Sequence, residues 1–209
     1  MNVIIFGASG GTGLKLCEQA QSLGYSVSAF VRKPEAFKLA GELNMIQGDV
    51  GNPQQVAAAI AGHDAVICAV GTPPSDKSKL RTRAVENIIA GMEMHGVKRL
   101  IVQSGLGCGE SRALLPFHYK YLIFPLILKH VYADHEQQEQ RVRASNLDWT
   151  IVRPAALTDG DLTEVYWHDC KERERPITVK ISRADTAHFM LQQLVNTYYW
   201  RKAPNLSYA

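Results

Sequence analysis

A parallel α/β sheet covered by helices on both faces is the fold this sequence predicts, and three observations predict it. Short apolar runs alternate with helix-like stretches along most of the chain. Most of those runs are continuously apolar, as in strands buried on both faces. The first run, NVIIF, leads into glycines spaced three apart, Gly7, Gly10 and Gly13, and then into a helix.

Residues 2–6 are the first strand. From Gly11, residues Leu14, Cys17, Ala20 and Leu23 recur at helical spacing until Gly24 offers a stop. YSVSAFV (25–31) is the second strand, closed by Pro34, and LNMIQ (43–47) the third. Asn52 and Pro53 suit the cap and first turn of a helix through QQVAAAI. DAVICAV (64–70) is a fourth strand, a helix covers 79–95, and KRLIVQS (98–104) is a fifth strand. The stretch 105–132 reads as irregular. A polar helix, DHEQQEQRVRAS, then leads into a sixth strand, DWTIVRP (148–154). Beyond it the chain is richer in charge, with Lys171 to Arg175 as a solvated loop, one strand in ITVKI and one helix from about Arg183 to Val195. No linker sets this part off. Residues 1–209 are therefore expected to be one domain, with 155–209 as a C-terminal cap on the substrate side.

A chain of 209 residues is long enough for one sizeable core, and 46% hydrophobic with 21% charged residues excludes disordered and fibrous classes. The net charge of +3, without a clustered basic face, points away from nucleic acid and suits anionic small molecules. Cys17, Cys68, Cys108 and Cys170 are scattered, which argues against zinc or disulfides and for reduced thiols in a cytoplasm. His118, His130, His135 and His168 lack metal-ligand spacing, so no metal is expected. MNVIIF carries no signal-peptide pattern. In LLPFHYKYLIFPLIL the longest uncharged stretch, Tyr121 to Leu128, is far short of the roughly 20 residues a membrane span needs. That segment could wall a pocket, with Phe117, Tyr119, Tyr121 and Phe124 suited to a flat ligand. It could equally complete the core or form a dimer face. A monomer or a homodimer is expected.

The glycines have a chemical reading. At the first strand-to-helix turn of a doubly wound sheet, glycine permits positive φ and lets main chain approach a dinucleotide's diphosphate, while the helix adds free N–H groups and positive dipole. Gly7 ends the strand, Gly10 faces the phosphates and Gly13 packs helix on sheet. Ser9, Gly10, Gly11 and Thr12 are expected to supply backbone donors, with the Thr12 hydroxyl as one more. An acid ending the second strand would hold a ribose 2′-OH. Here the strand ends with Arg32 and Lys33, and no acid occurs before Glu35. A guanidinium and an ammonium suit a 2′-phosphate, so NADP(H) is the expected cofactor.

With those residues in place, the chain resembles the atypical short-chain dehydrogenase/reductases with an NmrA-like NAD(P)-binding domain. Within them it is similar to the group containing flavin reductase/biliverdin IXβ reductase. The resemblance covers nearly the whole chain. It rests on the spaced glycines, Val31-Arg32-Lys33-Pro34, Gly48-Asp49-Val50 and Ala69-Val70-Gly71. Val102-Gln103-Ser104-Gly105, the run from Leu147 to Pro154 and Ile181-Ser182-Arg183-Ala184-Asp185 complete it. It implies a Rossmann-like sheet of order 3-2-1-4-5-6. It also implies that Asp49 and Val50 flank the adenine, and that Ala69, Val70 and Gly71 line the ribose and diphosphate side. Ser104 would sit beside the nicotinamide, and Pro154 and Ala155 would hold its carboxamide through backbone groups. Arg183 and Asp185 look like a structural pair opening the late helix.

Most such relatives reduce carbonyls with a Tyr-x-x-x-Lys pair, in which the phenol protonates the developing alkoxide. Aligned on RASNLDWTIVRP, this chain puts Val131 where the tyrosine belongs and His135 where the lysine belongs. Tyr132 is one position away, with Glu136 four residues on. Only Tyr198 and Lys202 have the spacing, and they lie beyond the sixth strand. Without that acid, the expected substrate is a planar acceptor that delocalises incoming charge: a flavin, quinone or linear tetrapyrrole. Ser104 is then an orienter and proton relay, and His135 an alternative donor. The active-site serine of the flavin-reductase relatives aligns with Ser104 or with Gly105, and their flavin-contacting histidine with Ala156. The rival reading is a non-catalytic NADP(H)-binding regulator.

Overall fold

The computed structural model describes residues 1–37, 39, 43–170 and 177–209. The loop expected from Lys171 to Arg175 lies outside them.

The central strand is β1 (Asn2–Phe6), paired in parallel with β2 (Ser26–Val31) on one side and β4 (Ala65–Cys68) on the other. Beyond β2 lies β3 (Asn44–Gln47). Beyond β4 lie β5 (Arg99–Gln103) and β6 (Asp148–Pro154), all in parallel register. The order 3-2-1-4-5-6 is as expected, but the sheet does not stop there. β10 (Asn205–Ser207) joins β6 in parallel, and β8 (Trp167–His168) runs antiparallel to β10. β7 (Ala156–Thr158) and β9 (Lys180–Ser182) form a separate two-stranded sheet. Among the described residues, a tail read as one strand and one helix therefore holds four short strands, two of which lengthen the main sheet. ITVKI shrinks to β9, and the residue just before that strand, Val179, takes a left-handed φ of 57° that breaks the extended run. The late helix, α5 (Arg183–Gln192), stops short of Val195.

Alternation along β1 divides the core. Val3 and Ile5 pack with Leu16, Cys17 and Ala20 of α1 (Gly11–Ser22) and with Ala187 and Met190 of α5. Ile4 and Phe6 pack on the other face with side chains of α2 (Pro53–Ile60), α3 (Leu80–His95) and α4 (Lys129–Ala144). Burying each such large side chain stabilises the fold by about 1.5–3 kcal/mol. The predicted start of α2 is present: the Asn52 side chain accepts the N–H groups of Gln54 and Gln55, both at 3.1 Å.

The stretch expected to be irregular is largely helical. A 3-10 turn at Gly109–Leu114 is followed by a π-helix, Tyr119–Leu128, which runs into α4 at Lys129. Pro125 has no N–H to donate, and bonds from i to i+5 lengthen the repeat, so the usual 3.6-residue signature is missing.

Candidate functional site

Because β2 and β4 flank β1 on opposite sides, the connections leave the carboxyl ends of these strands in opposite directions and a crevice opens between them. It is a cleft of about 1400 Å³, walled by the residues that follow β1 to β6.

Gly7 follows β1 with φ +80°, and a Cβ there would stand 2.5 Å from the Ala69 carbonyl oxygen. A Cβ on Gly13 would overlap the Gly7 carbonyl, so Gly13 seats α1 against the turn and lies behind the cleft wall. Ser9, Gly10, Gly11 and Thr12 line the cleft. No side chain caps α1 and no acid sits in its first turn, so its N–H groups and positive end face the cleft. One expected donor is otherwise engaged: the Gly10 N–H turns back to the Gly7 carbonyl at 3.0 Å.

Arg32 stands on the wall beyond β2. Lys33 does not line it; its carbonyl accepts the Ala36 N–H in the turn Pro34–Ala36. Asp49 and Val50 follow β3 on the wall, pinned from two helices. The Asp49 N–H donates to Gln55 Oε1 and the Val50 carbonyl accepts from Asn87 Nδ2, each at 2.8 Å. Ala69, Val70 and Gly71 continue the wall after β4. Pro154 and Ala155 also line it, but their backbone groups are largely occupied. The Pro154 carbonyl accepts the Leu106 N–H at 2.8 Å, and the Ala155 N–H donates to Leu206 at 2.9 Å. Any hold on a ligand there falls to the Ala155 carbonyl and the second lone pair of Pro154.

Arg183 was set aside in the sequence as a structural residue, yet it lines the cleft. Its Cδ and Nε lie 2.5 and 2.6 Å from the place a Gly11 Cβ would occupy, and its guanidinium meets Asp159 at 2.5 Å. A cation directly after a strand end, in ISRAD, was the available signal.

The opposite wall is built from α4. Ser104, which follows β5, is buried and donates its hydroxyl to Glu139 Oε1 at 2.7 Å. Arg153 grips the same carboxylate, Nε to Oε1 at 2.8 Å and a terminal nitrogen to Oε2 at 2.6 Å, and reaches Glu110 at 2.6 Å. Burial alone would lower the Arg153 pKa; hydrogen bonds and charge from Glu139 and Glu110 outweigh it and push the guanidinium above its ordinary value. The Glu139 carboxylate thus accepts from Ser104 on one side and from Arg153 on the other. With its hydroxyl proton directed to Glu139, Ser104 turns its lone pairs to the cleft.

His135 lines the cleft and is buried. Its Nδ1 lies 3.2 Å from Gln138 Oε1; in the tautomer that donates Nδ1–H to that oxygen, Nε2 is left as an acceptor toward the cleft. Burial, helped by the charge of Arg81, lowers its pKa to about 4, so the imidazole is neutral at pH 7. Tyr132 also lines the cleft; its hydroxyl donates to the Leu106 carbonyl at 2.7 Å, and burial raises its pKa. Between them Asp134 accepts the backbone N–H groups of Arg81 (3.1 Å) and Thr82 (3.0 Å), fixing α4 on the start of α3. Gln103 and Arg81 line the cleft too, and the buried Gln103 Oε1 and Arg81 Nε have no partner among the described residues.

Tyr198 and Lys202 stand apart from the cleft, the ammonium 4.1 Å from the ring centroid. Of the aromatics expected to face a flat ligand, only Tyr119 lines the cleft, while Phe117 and Tyr121 are exposed. The Phe124 side chain lies outside the described structure. Apolar lining comes instead from Leu115, Leu128, Val131 and Leu157.

Residues 7–197 match the family model described as NAD(P)H-binding. The chain belongs to that family. Its relatives include a Bacillus subtilis protein named as an uncharacterized sugar epimerase, 31% identical over 93% of this chain and 88% of its own. An uncharacterized chloroplastic protein of Arabidopsis thaliana is 30% identical over 77% of this chain, which spans 61% of that relative's length. Among solved structures, the anaerobillin reductase ChuY of Escherichia coli O157:H7 is 26% identical, with a TM-score of 0.78 over 99% of this chain and 96% of its own. The uncapped start of α1, with bare glycine backbone beside it, fits the diphosphate of the nicotinamide cofactor that the family binds.

Proposed function

We propose that the protein is an NADPH-dependent reductase of a planar, electron-accepting small molecule. The cofactor's reduced nicotinamide supplies a hydride. Its diphosphate is held by the N–H groups at the start of α1 and by Arg183, and its 2′-phosphate by Arg32, which directly follows β2 where an acid would favour NADH. Arg32 and Arg183 are proposed here to act together, one on each phosphate group.

The observation that carries the substrate reading is the Ser104 hydroxyl, whose proton is committed to Glu139. His135 is neutral and Tyr132 is bonded to Leu106, so these three residues do not poise a proton for a developing alkoxide. An acceptor that spreads incoming charge over a ring system needs no such acid from the protein. The chain's part is then to orient. Ser104 Oγ, His135 Nε2 and Gln103 Oε1 are all acceptors, which suits a ligand presenting ring N–H groups, as flavins and linear tetrapyrroles do and quinones do not. Similarity to an anaerobillin reductase supports a reductase.

The test is NADPH oxidation with flavins, linear tetrapyrroles and quinones in parallel. Turnover above the enzyme-free rate is expected, fastest with acceptors bearing ring N–H groups. Rates equal to background across the panel would replace this reading with that of a non-catalytic cofactor-binding regulator.

A further inference from the structure

The proposed chemistry uses only one side of the π-helix Tyr119–Leu128. Tyr119 and Leu128 turn toward the cleft. Phe117, Tyr121, Leu122, Leu126 and Ile127 are 54 to 78% exposed. Offsets of four and five residues link them, from Phe117 just before the helix to Ile127 within it, close to the turn of a helix bonded from i to i+5, and so they form one stripe on the side away from the cleft. The Phe117 and Tyr121 rings lie 4.6 Å apart within it. From Ser111 to Ala133 the chain has no Asp or Glu, while Arg112, Lys120 and Lys129 are present.

We propose that this stripe docks on the surface of an anionic lipid bilayer. Large apolar side chains on one helix face, flanked by cations and free of acids, are what lets a helix lie in the headgroup layer. The cations supply the attraction to anionic lipid, and the apolar stripe supplies burial at the acyl boundary. Among the described residues no helix is long and apolar enough to cross a membrane, so the helix lies on the surface. A second copy of the chain is a poorer occupant. Two-fold pairing through this stripe brings Lys120 and Lys129 toward their own equivalents, with no acid in the segment to answer them. Docking sets the helix that walls the apolar end of the cleft against lipid. It stands independently of the reductase reading, because vesicle binding requires neither turnover nor substrate.

The experiment is flotation of the full chain with phosphatidylcholine vesicles containing phosphatidylglycerol, alongside pure phosphatidylcholine vesicles. Binding to the anionic vesicles should be about tenfold stronger than to the neutral ones and should weaken in high salt. The double variant Leu126→Asp/Ile127→Asp should lose about tenfold of that binding, with thermal unfolding and nicotinamide-cofactor affinity unchanged. Three results overturn the proposal: no flotation with anionic vesicles, equal flotation of the double variant, or a dimer in sedimentation equilibrium that this variant dissolves.

Discussion

Where α1 meets the cleft the wall is main chain, with Gly7 and Gly13 closing backbone onto backbone. Across from it, behind the Ser104 and His135 lining, lies buried charge, with Glu139 held between Ser104 and Arg153. The first wall is rigid because there is no room for a side chain. The second is held by the Ser104–Glu139–Arg153 network, and removing one of its partners strands another away from water. Anion binding needs the first kind of wall, since N–H groups must stay open to a ligand. Orientation of a reacting ring needs the second kind, where acceptors are locked in direction before the ligand arrives.

The largest effect should come from the charged wall. Glu139→Leu leaves Arg153, 1% exposed, without its main carboxylate and should destabilise the fold by about 3–5 kcal/mol in urea unfolding. A loss below about 1 kcal/mol would break the contrast, because the pair would then not be what holds α4 to β6. Next in size is a pH effect at His135. The unfolded imidazole takes up a proton near pH 6.5, whereas the folded one does so only near 4. Stability is therefore full above about 6.5 and falls as the pH drops toward 4, by on the order of 3 kcal/mol. In His135→Gln the slope of unfolding free energy against pH across that window should flatten. The smallest effects sharpen the backbone wall. Arg32→Asp should weaken NADPH about tenfold, or about 1.4 kcal/mol, and NADH hardly at all, whereas Arg183→Gln should weaken both alike. Titration of each cofactor distinguishes them; Arg183→Gln without effect on either would take that residue off the site.

The same contrast decides what could be read beforehand. Gly7, Gly10 and Gly13 after a five-residue apolar run are local signals, so β1, α1 and the cleft were legible, as was the Asn52–Pro53 start of α2. Glu139 and Arg153 were not, because a carboxylate in a polar helix and an arginine in DWTIVRP look solvated until the fold brings them together. The π-helix escaped because its repeat is longer than the one a helix search tests. β8 and β10 escaped because strands of two or three residues carry no periodic signal and exist only where β6 offers an edge. Arg183 was visible as a cation but lacked any local cue to the Gly11 backbone it crosses.

The late arrival of β10 has a kinetic consequence. β6 is complete at Pro154, but its outer neighbour is Asn205–Ser207, so about fifty residues must be arranged before the two can zip together. Until then β6 presents unpaired N–H and C=O groups and an apolar flank, open to another unfinished chain. Recovery of this protein from denaturant thus becomes a race between an intramolecular closure and crowding by its own kind.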